Sequence, residues 1–392
     1  MMSLDTIHIA SAVEAARQSD VAILFCGSSS ASLARDYNET NCGEGFDLAD
    51  LALTGAQGKL IKAIHATGKP VILVLVTGKP FSIAWEKKHI PAILIQWYAG
   101  EQEGSSIANI LFGKTNPSGH LTVSFPQSSG HLPAYYNHLP TDRGFYHKPG
   151  SYEQPGRDYV FSSPGPLWAF GHGLTYTTFN YTDMQIQQSV DSIKVFVTVK
   201  NTGRWAGKAV PQLYVRDVFS SISTPVKQLK AFNKVALEPG ETTRVPLHFA
   251  VQDLALTDEA GKTMVEPGSF EIMIGDASDH ILLKQTISIG QNMAVSPCSI
   301  KEQLPEEIGK GNIIHIKGVV RDVQATPVDK VEIYSTAQQQ VIGVTDQNGK
   351  YFIDAPEDDV LVFCKSGYLD EKVNVDRKND IQITIRNKMV FP

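Results

Sequence analysis

A glutamate between two glycines is the residue of this chain best suited to proton transfer. The segment Asn41 to Asp47 places Glu44 between Gly43 and Gly45, with Phe46 directly after them. Glycines let the backbone approach a ligand closely, and an apolar ring that desolvates a carboxyl group raises its pKa. A carboxyl group with a raised pKa can serve as a general acid near neutral pH. Glu44 is therefore the candidate catalytic acid.

Composition alone favours a different interpretation of the same residue. A glutamate in a glycine-rich loop is more often a solvated surface residue than a catalytic one. The loop also carries three other carboxylates that compete with Glu44 for any catalytic role, and these are Asp36, Glu39 and Asp47. The local sequence therefore leaves the choice among the four carboxylates open.

The long polar loop lies between two predicted strands. Val21 to Cys26 and Val71 to Val76 are continuous apolar runs, which are typical of strands in a buried parallel sheet. A helix is predicted between them, with Thr54 and Gln57 as a capping box. Strand, helix and strand form a right-handed crossover unit. Ligands bind beyond the carboxyl ends of such strands, where the polar segment 28–50 begins.

Other elements extend this α/β pattern in both directions. A helix is predicted at Ala10 to Arg17, with Ser11 and Glu14 as a second capping box. A further strand is predicted at Ala92 to Gln96, and a helix at Gly104 to Phe112. These elements predict a partial α/β sandwich with a mostly parallel sheet.

Four motifs follow one another along the first half of the chain. They are Gly43 to Asp47 with Asp50 to Gln57, Gln96 to Gly104, Leu111 to Gly119 with Ser124 to Pro126, and Phe170 to Phe179. In these motifs and in their order the chain resembles glycoside hydrolase family 3. The subgroup that the chain resembles comprises bacterial β-glucosidases and β-xylosidases with a fibronectin type III-like domain.

The resemblance implies a retaining, exo-acting β-glycosidase whose two carboxyl groups come from two domains. A barrel aspartate attacks the anomeric carbon, and a glutamate of the second domain protonates the leaving oxygen and later activates water. Carried over by position, that general acid/base is Glu44. Retaining chemistry places the two carboxyl groups roughly 5 Å apart. The implied substrate is a β-linked oligosaccharide or glycoside, and no cofactor is implied.

Family members of this type begin with a barrel of roughly 250 residues or more. Here Met1 lies only twenty residues before Val21, the start of the first predicted strand. We therefore expect the barrel and its nucleophile to be absent. We also expect the chain alone to be inactive, because loss of one member of a catalytic pair removes most of the rate enhancement. A separate family barrel domain is the implied partner.

Three residues are candidates for substrate binding. Trp97 and Tyr98 follow the strand at 92–96, and aromatic faces stack on sugar rings. Core packing is the favoured role for Trp97, because large aromatic residues are mostly buried. Arg157 is a polar candidate in the loop of residues 130–168, together with Arg143 and Asp158.

Two other functions stay open on the sequence. The chain could be a carbohydrate-binding or adhesion accessory protein, which requires an exposed aromatic platform around Trp97 or at Tyr135 and Tyr136. It could also be an inactive truncation product whose exposed former interface promotes association.

Composition excludes several classes of partner. The chain has 392 residues, a net charge of −6, 42% hydrophobic residues and 19% charged residues. Such a charge offers no basic surface for nucleic acid, and the apolar runs are shorter than the roughly 18 residues that span a membrane. Residues 1–5 do not open a signal peptide, although the resemblance implies a periplasmic or extracellular parent enzyme. From four cysteines we predict no disulfide and no metal site.

The rest of the chain predicts two all-β sandwich domains. Alternating residues from Ile193 to Val199 indicate strands of an antiparallel sandwich, which resembles the fibronectin type III-like domain of the family. The pair Asn348 and Gly349 predicts a hairpin in a domain that resembles carboxypeptidase regulatory-like, transthyretin-type sandwiches. The predicted boundaries are 1–180 for the incomplete α/β domain, 181–292 for the first sandwich, 293–311 for a linker and 312–392 for the last sandwich.

Overall fold

The computed structural model describes residues 5–28, 48–140, 162–163, 165–259, 261–290, 293–294, 311–338, 340–365 and 368–386. The chain divides into two compact units, Met1–Asp253 with Pro267–Gly290 and Leu254–Glu266 with Gln291–Pro392. Glu44 and Arg157 lie outside the described residues. Most of the described structure is β-sheet, and these residues contain no closed barrel.

Helices and strands alternate in the first part of unit 1. They are α1 (Ile9–Arg17), β1 (Ala22–Gly27), α2 (Gln57–His65), β2 (Val71–Val76), α3 (Ala84–His89), β3 (Ala92–Ile95) and α4 (Glu103–Leu111). The three strands form one parallel sheet in the order β1, β2, β3. The predicted parallel sheet is therefore present, and strand β2 has the predicted bounds.

The core of this part lies between the sheet and helix α2. Leu73 and Leu75 of strand β2 are fully buried, as is Ile61 of helix α2, and Ile64 is almost so. Burial of each such side chain stabilises the fold by about 1.5–3 kcal/mol. Helix α2 is thereby held on one face of the sheet.

Strand β1 is not buried on both faces, contrary to the prediction. Ala22 and Cys26 are buried in the core, whereas Ile23 is 40% exposed and Phe25 is 59% exposed. Within the described part of the chain, β1 is an edge strand that pairs only with β2. A continuous apolar run thus identified the strand but did not reveal which faces are covered.

Both predicted capping boxes are wrong. Helix α1 already contains Ser11 and Glu14, and the Ser11 hydroxyl donates to the carbonyl oxygen of His8 (2.9 Å). Helix α2 follows Ala56, whose side chain makes no capping hydrogen bond. The side chain of Gln57 bonds to Thr54 and also makes tertiary contacts, because the end of strand β1 offers its amide two backbone partners.

From residue 179 onwards the elements are mostly antiparallel strands, and most of those before residue 291 belong to unit 1. The strands along this stretch of the chain are β4 (Phe179–Gln188), β5 (Ser192–Asn201), β6 (Gly207–Ala209), β7 (Gln212–Asp217), β8 (Gln228–Phe232), β9 (Val235–Leu237), β10 (Thr242–Ala250), β11 (Leu256–Thr257), β12 (Thr263–Val265), β13 (Gly268–Ala277) and β14 (His280–Ile289). One sheet has the order β10, β5, β4, and another has the order β14, β13, β7, β8. Alternation from Ile193 to Val199 is confirmed, since the four aliphatic side chains at odd positions are fully buried.

Unit 2 contains strands β11 and β12 and the last strands of the chain. These are β15 (Met293–Ala294), β16 (Ile313–Arg321), β17 (Glu332–Ser335), β18 (Gln340–Val344), β19 (Lys350–Pro356), β20 (Val360–Cys364), β21 (Glu371–Asn374) and β22 (Ile383–Thr384). They form sheets in the orders β11, β12, β15, then β19, β16, β22, and β18, β17, β20, β21.

Two predictions for unit 2 are wrong. Asn348 and Gly349 form a turn, but the strands on either side of it belong to different sheets, so no hairpin ladder forms. The turn is held by Asp346, whose carboxylate accepts the N–H of Asn348 and that of Lys350, both at 2.8 Å. Cys364 is disulfide-bonded, contrary to the expectation of no bridge.

The end of strand β1 has a strict steric requirement. Gly27 has a φ of 144°, and a Cβ atom there would lie 1.8 Å from the carbonyl oxygen of Val76. We predict that Gly27→Ala lowers the free energy of unfolding by about 3 kcal/mol or more, because the backbones of β1 and β2 would have to separate. The measurement is urea-induced unfolding followed by circular dichroism.

Gly68→Ala is the matched control for this prediction. Gly68 also has a positive φ, 77°, but a Cβ atom there would meet nothing within 4 Å. Gly68→Ala should lower the free energy of unfolding by only about 1 kcal/mol, because it introduces backbone strain alone. Equal losses for the two variants would show that the contact with Val76 does not limit the position.

Candidate functional site

Polar side chains converge at the carboxyl edge of the parallel sheet. Gly27 pairs with Val76 at the ends of β1 and β2, so Ser28 and Thr77 leave the sheet side by side. Tyr98 follows strand β3 and reaches the same edge. The parallel topology therefore brings three hydroxyl groups together where ligands bind in such sheets.

A chain of hydrogen bonds connects these hydroxyl groups. The Tyr98 hydroxyl lies 2.9 Å from Ser28 Oγ and donates to the carbonyl oxygen of Ser28 (3.2 Å). Ser28 Oγ donates to Thr77 Oγ1 (3.3 Å), which in turn donates to the carbonyl oxygen of Lys79 (2.6 Å). Ser28 and Thr77 are buried, so these bonds replace the water that their hydroxyls lose. The network fixes Ser28, from which the loop of residues 29–47 departs.

A glycine makes room for the Tyr98 ring. A Cβ atom on Gly78 would lie 2.8 Å from Cε2 of Tyr98. The ring therefore packs directly on the backbone that follows strand β2. This contact sets the position of the Tyr98 hydroxyl at the edge of the sheet.

Gln57 holds the last residue of strand β1. The N–H of Gly27 donates to Gln57 Oε1 (2.6 Å), and Gln57 Nε2 donates to the carbonyl oxygen of Gly27 (2.9 Å). The same Nε2 also donates to the carbonyl oxygen of Thr54 (3.1 Å). One amide side chain thus satisfies both backbone groups of Gly27 and ties strand β1 to the start of helix α2.

The returning end of the loop is held as well. Leu48 packs against the core of the α/β part. Asp50 Oδ1 accepts a hydrogen bond from the Ser129 hydroxyl (3.0 Å), whose oxygen accepts the N–H of Leu51 (2.9 Å). Both ends of the segment that carries Glu44 are therefore fixed by side chains from other parts of the fold.

Trp97 and Tyr98 have different environments. Trp97 is half-buried against the core, and its ring centroid lies 6.1 Å from that of Phe125. Its φ of 58° is unusual for a bulky residue and carries backbone strain of about 1–3 kcal/mol. Tyr98 is partly exposed at the edge of the sheet. Of the three predicted substrate-binding residues, Tyr98 lies among the polar groups, Trp97 packs inward, and Arg157 is outside the described residues.

Sequence reasoning missed three residues of this edge, namely Gln57 in its tertiary role, Ser28 and Thr77. Thr77 directly follows a predicted strand and Ser28 follows one after Gly27, and these positions were the available signal. The tertiary role of Gln57 had no local signal, because its partner Gly27 is thirty residues away in the chain.

The aromatic platform proposed for an adhesion role does not form at Tyr135 and Tyr136. Tyr136 stacks on Phe170 with ring centroids 4.2 Å apart, and its hydroxyl accepts the N–H of Leu229 (3.1 Å). Tyr135 alone of the pair is exposed. Tyr136 instead joins the α/β part to strand β8.

The described part of the chain has neither a metal-ligand cluster nor a membrane-spanning helix. No cluster of three or more His, Cys, Asp or Glu side chains there could hold a metal ion. Among the helices of these residues, none has the length and apolarity needed to cross a membrane.

Cys26 lies near this edge but is unsuited to nucleophilic chemistry. It is a free, buried cysteine, and burial, aided by the charge of Glu86, raises the pKa of its thiol to about 11. The thiolate is the reactive form of cysteine. The thiol of Cys26 therefore stays protonated at neutral pH.

We predict that iodoacetamide alkylates Cys26 slowly at pH 8 in the folded protein, and faster only as the pH approaches 11. In urea, where the thiol pKa returns to about 8.5, alkylation at pH 8 should be rapid. Between these pKa values the unfolded chain releases a proton that the folded chain retains, so stability falls as the pH rises. Peptide mapping by mass spectrometry measures the rates, and rapid alkylation of folded protein at pH 8 would contradict the burial argument.

Two family models match the chain. The glycosyl hydrolase family 3 C-terminal domain matches residues 5–176. The fibronectin type III-like domain matches residues 209–278. The first match contains the parallel sheet and the hydroxyl network at its edge. The second contains strands β7 to β13.

Known proteins resemble the same region. A β-xylosidase from Formosa agariphila is 40% identical over 283 residues, which are 71% of this chain and 36% of that protein. A periplasmic β-glucosidase from Salmonella typhimurium is 39% identical over 275 residues, 69% of this chain and 34% of that protein. The crystal structure of a β-glucosidase from Listeria innocua in complex with glucose has a TM-score of 0.64 and 32% identity, over 74% of this chain and 39% of that chain.

The chain spans about a third of the length of the curated relatives that it matches. Both family models agree with the order of the elements, since the parallel sheet precedes the antiparallel ones. Residues 5–176 of this chain are therefore a glycosyl hydrolase family 3 C-terminal domain, and residues 209–278 are a fibronectin type III-like domain.

Proposed function

We propose that this chain supplies the general acid/base of a retaining, exo-acting β-glycosidase, and that Glu44 is that residue. The observation that carries the proposal is the double anchoring, at the carboxyl edge of the sheet, of the segment that bears Glu44. The relatives named above, a β-xylosidase and β-glucosidases, support O-glycosidic bonds of β-linked sugars as the substrate class.

The reaction proceeds in two steps. A carboxylate nucleophile from a barrel domain, the proposed partner of this chain, attacks the anomeric carbon while Glu44 gives its proton to the leaving oxygen. In the second step, Glu44 takes a proton from water, whose oxygen displaces the nucleophile from the sugar. Both carboxyl groups return to their initial states, and the anomeric configuration is retained.

Such a mechanism requires a precisely held acid. Catalytic groups must stay within about 0.5 Å of their productive positions, which loops achieve only when other residues support them. Here Gln57 and Tyr98 hold the departing end of the loop, and Ser129 holds the returning end. These residues position the loop and do not themselves contact the reacting atoms.

The remaining assignments are part of the same proposal. Tyr98 would line the sugar site with its exposed edge, and Arg157 would donate hydrogen bonds to sugar hydroxyls. Trp97, half-buried against the core, would set the backbone position of Tyr98. We keep the domain boundaries at 1–180, 181–292 and 312–392, with a linker at 293–311. The last domain is proposed to be a carboxypeptidase regulatory-like sandwich with an accessory role.

We predict that hydrolysis of aryl β-glucosides and β-xylosides requires this chain together with a separately expressed family 3 barrel domain. Glu44→Gln should lower kcat/KM of the mixture by about 10²–10⁴-fold for phenols of high pKa, which need a proton to depart. For 2,4-dinitrophenyl glycosides, whose leaving group departs without a proton, the rate of the first step should change little. Steady-state kinetics across a series of leaving groups measures the difference.

Glu39→Gln and Asp47→Asn are matched controls from the same loop. Each removes one carboxylate that competed with Glu44 on sequence, and each should leave the leaving-group dependence unchanged. The acid/base role would lie elsewhere if kcat/KM depended steeply on the leaving-group pKa in either control. It would also lie elsewhere if Glu44→Gln showed no such dependence.

Tyr98→Phe tests the anchoring of the loop. The change removes the hydroxyl that bonds to Ser28, and we predict a loss of about fivefold in kcat/KM for poor leaving groups, from the loss of one hydrogen bond. Activated substrates should be affected less, because they depend less on the acid. Tyr135→Phe, in an exposed residue, is the control. An equal loss for all substrates would indicate damage to the fold or to sugar binding and would contradict the displacement of the acid.

A further inference from the structure

An open groove runs between two edge strands of unit 1. Strand β8 ends one sheet and strand β10 ends the other, as far as the described residues extend. The groove has a volume of about 560 Å³. Its lining residues include Lys230 and Phe232 of strand β8, the next residue Asn233, and Pro246 and His248 of strand β10.

Two side chains reach from the β8 side of the groove to strand β10 or to the segment that follows it. Lys230 is the extra residue at a bulge in strand β8, because Leu213 pairs with Ala231 and Tyr214 with Leu229. Its Nζ atom donates to the carbonyl oxygen of Asp253, which follows strand β10. Asn233 Nδ2 donates to the carbonyl oxygen of Pro246 (3.2 Å). These two contacts fix the width of the groove.

A peptide strand is a poor occupant of this groove. Pro246 gives strand β10 a position without an N–H donor, and its carbonyl oxygen is already bonded to Asn233. The bulge at Lys230 interrupts the regular ladder positions of strand β8. Proline, lysine and bulges on edge strands are features that oppose the addition of another strand.

The charge of the groove favours a neutral ligand. Lys230 is its only Lys, Arg, Asp or Glu lining residue, and that ammonium group is bonded to a backbone carbonyl. Burial lowers the pKa of Lys230, and the charge of Asp253 opposes this shift. No free cluster of charge of either sign therefore faces a ligand from the lining residues.

The exposed groups suit a sugar ring. Phe232 is 65% exposed in the groove, which is a high value for a large apolar residue on a strand. An aromatic face can cover the C–H face of a pyranose, while the Asn233 amide and the exposed His248 imidazole can bond its hydroxyls. The volume lies within the range of about 300–1,000 Å³ that small-molecule sites occupy.

We propose that the groove between strands β8 and β10 is an accessory binding site for a neutral β-linked oligosaccharide, with Phe232 as its stacking surface. The choice of β-linked sugar rests on the proposed function. The groove itself is independent of Glu44, since it lies within the fibronectin type III-like region of residues 209–278.

The test is isothermal titration calorimetry of the full chain with cellopentaose and with xylopentaose. We expect saturable binding of at least one of them, and about tenfold weaker binding in Phe232→Ala, as for the removal of a central aromatic contact. The matched control is Phe352→Ala on strand β19, because Phe352 is also highly exposed, at 71%. Phe232→Tyr, which keeps an aromatic face, should retain the affinity.

Several results would overturn the proposal. One is that neither sugar binds saturably. Another is that Phe232→Ala binds with the same affinity as the unchanged chain, and a third is that Phe352→Ala loses affinity. Preference for polygalacturonate with strong dependence on salt would indicate an acidic ligand instead. Glu44→Gln should bind as the unchanged chain does, so a failure of the catalytic proposal would be seen in turnover and a failure of this proposal in binding.

Discussion

The two hydrogen bonds between the Gln57 amide and Gly27 are the interaction on which the carboxyl edge of the parallel sheet depends. Strand β1 is an edge strand, so the last peptide group of the strand needs partners other than a neighbouring strand. Because one side chain supplies both, strand β1 ends at a fixed point, and Ser28 enters the hydroxyl network of Tyr98 in one orientation. The geometry of the segment carrying Glu44 begins from that point.

The sequence predicted the features that depend on local periodicity. Continuous apolar runs identified β1 and β2 as parallel strands, and alternation identified the buried side chains of strand β5. Prediction from the sequence failed where a residue bonds to a distant part of the chain. Gln57 has the spacing of a capping residue but bonds to Gly27, and the turn at Asn348 and Gly349 has hairpin residues but joins two sheets. Local patterns carry no information about such partners.

The edge strands of unit 1 differ in what contacts them. In the α/β part, the end of edge strand β1 is satisfied by Gln57 of the adjacent helix. In the antiparallel part, β8 and β10 keep a groove open between them, with Lys230 and Asn233 reaching across it. A covered edge yields a rigid support for a loop, whereas an open edge held apart by side chains yields a surface that a ligand can enter.

Trp97 lies at the boundary between core and site. Its left-handed backbone turns the chain so that the Trp97 ring packs towards Phe125 while the next residue, Tyr98, packs on Gly78 and bonds to Ser28. Phe125 also pairs with Trp168, far along the sequence. The packing of three distant chain segments and the orientation of one surface hydroxyl are thus mechanically coupled through a single strained residue. A substitution that repacks the interior at Trp97 would therefore also displace the Tyr98 hydroxyl at the edge of the sheet.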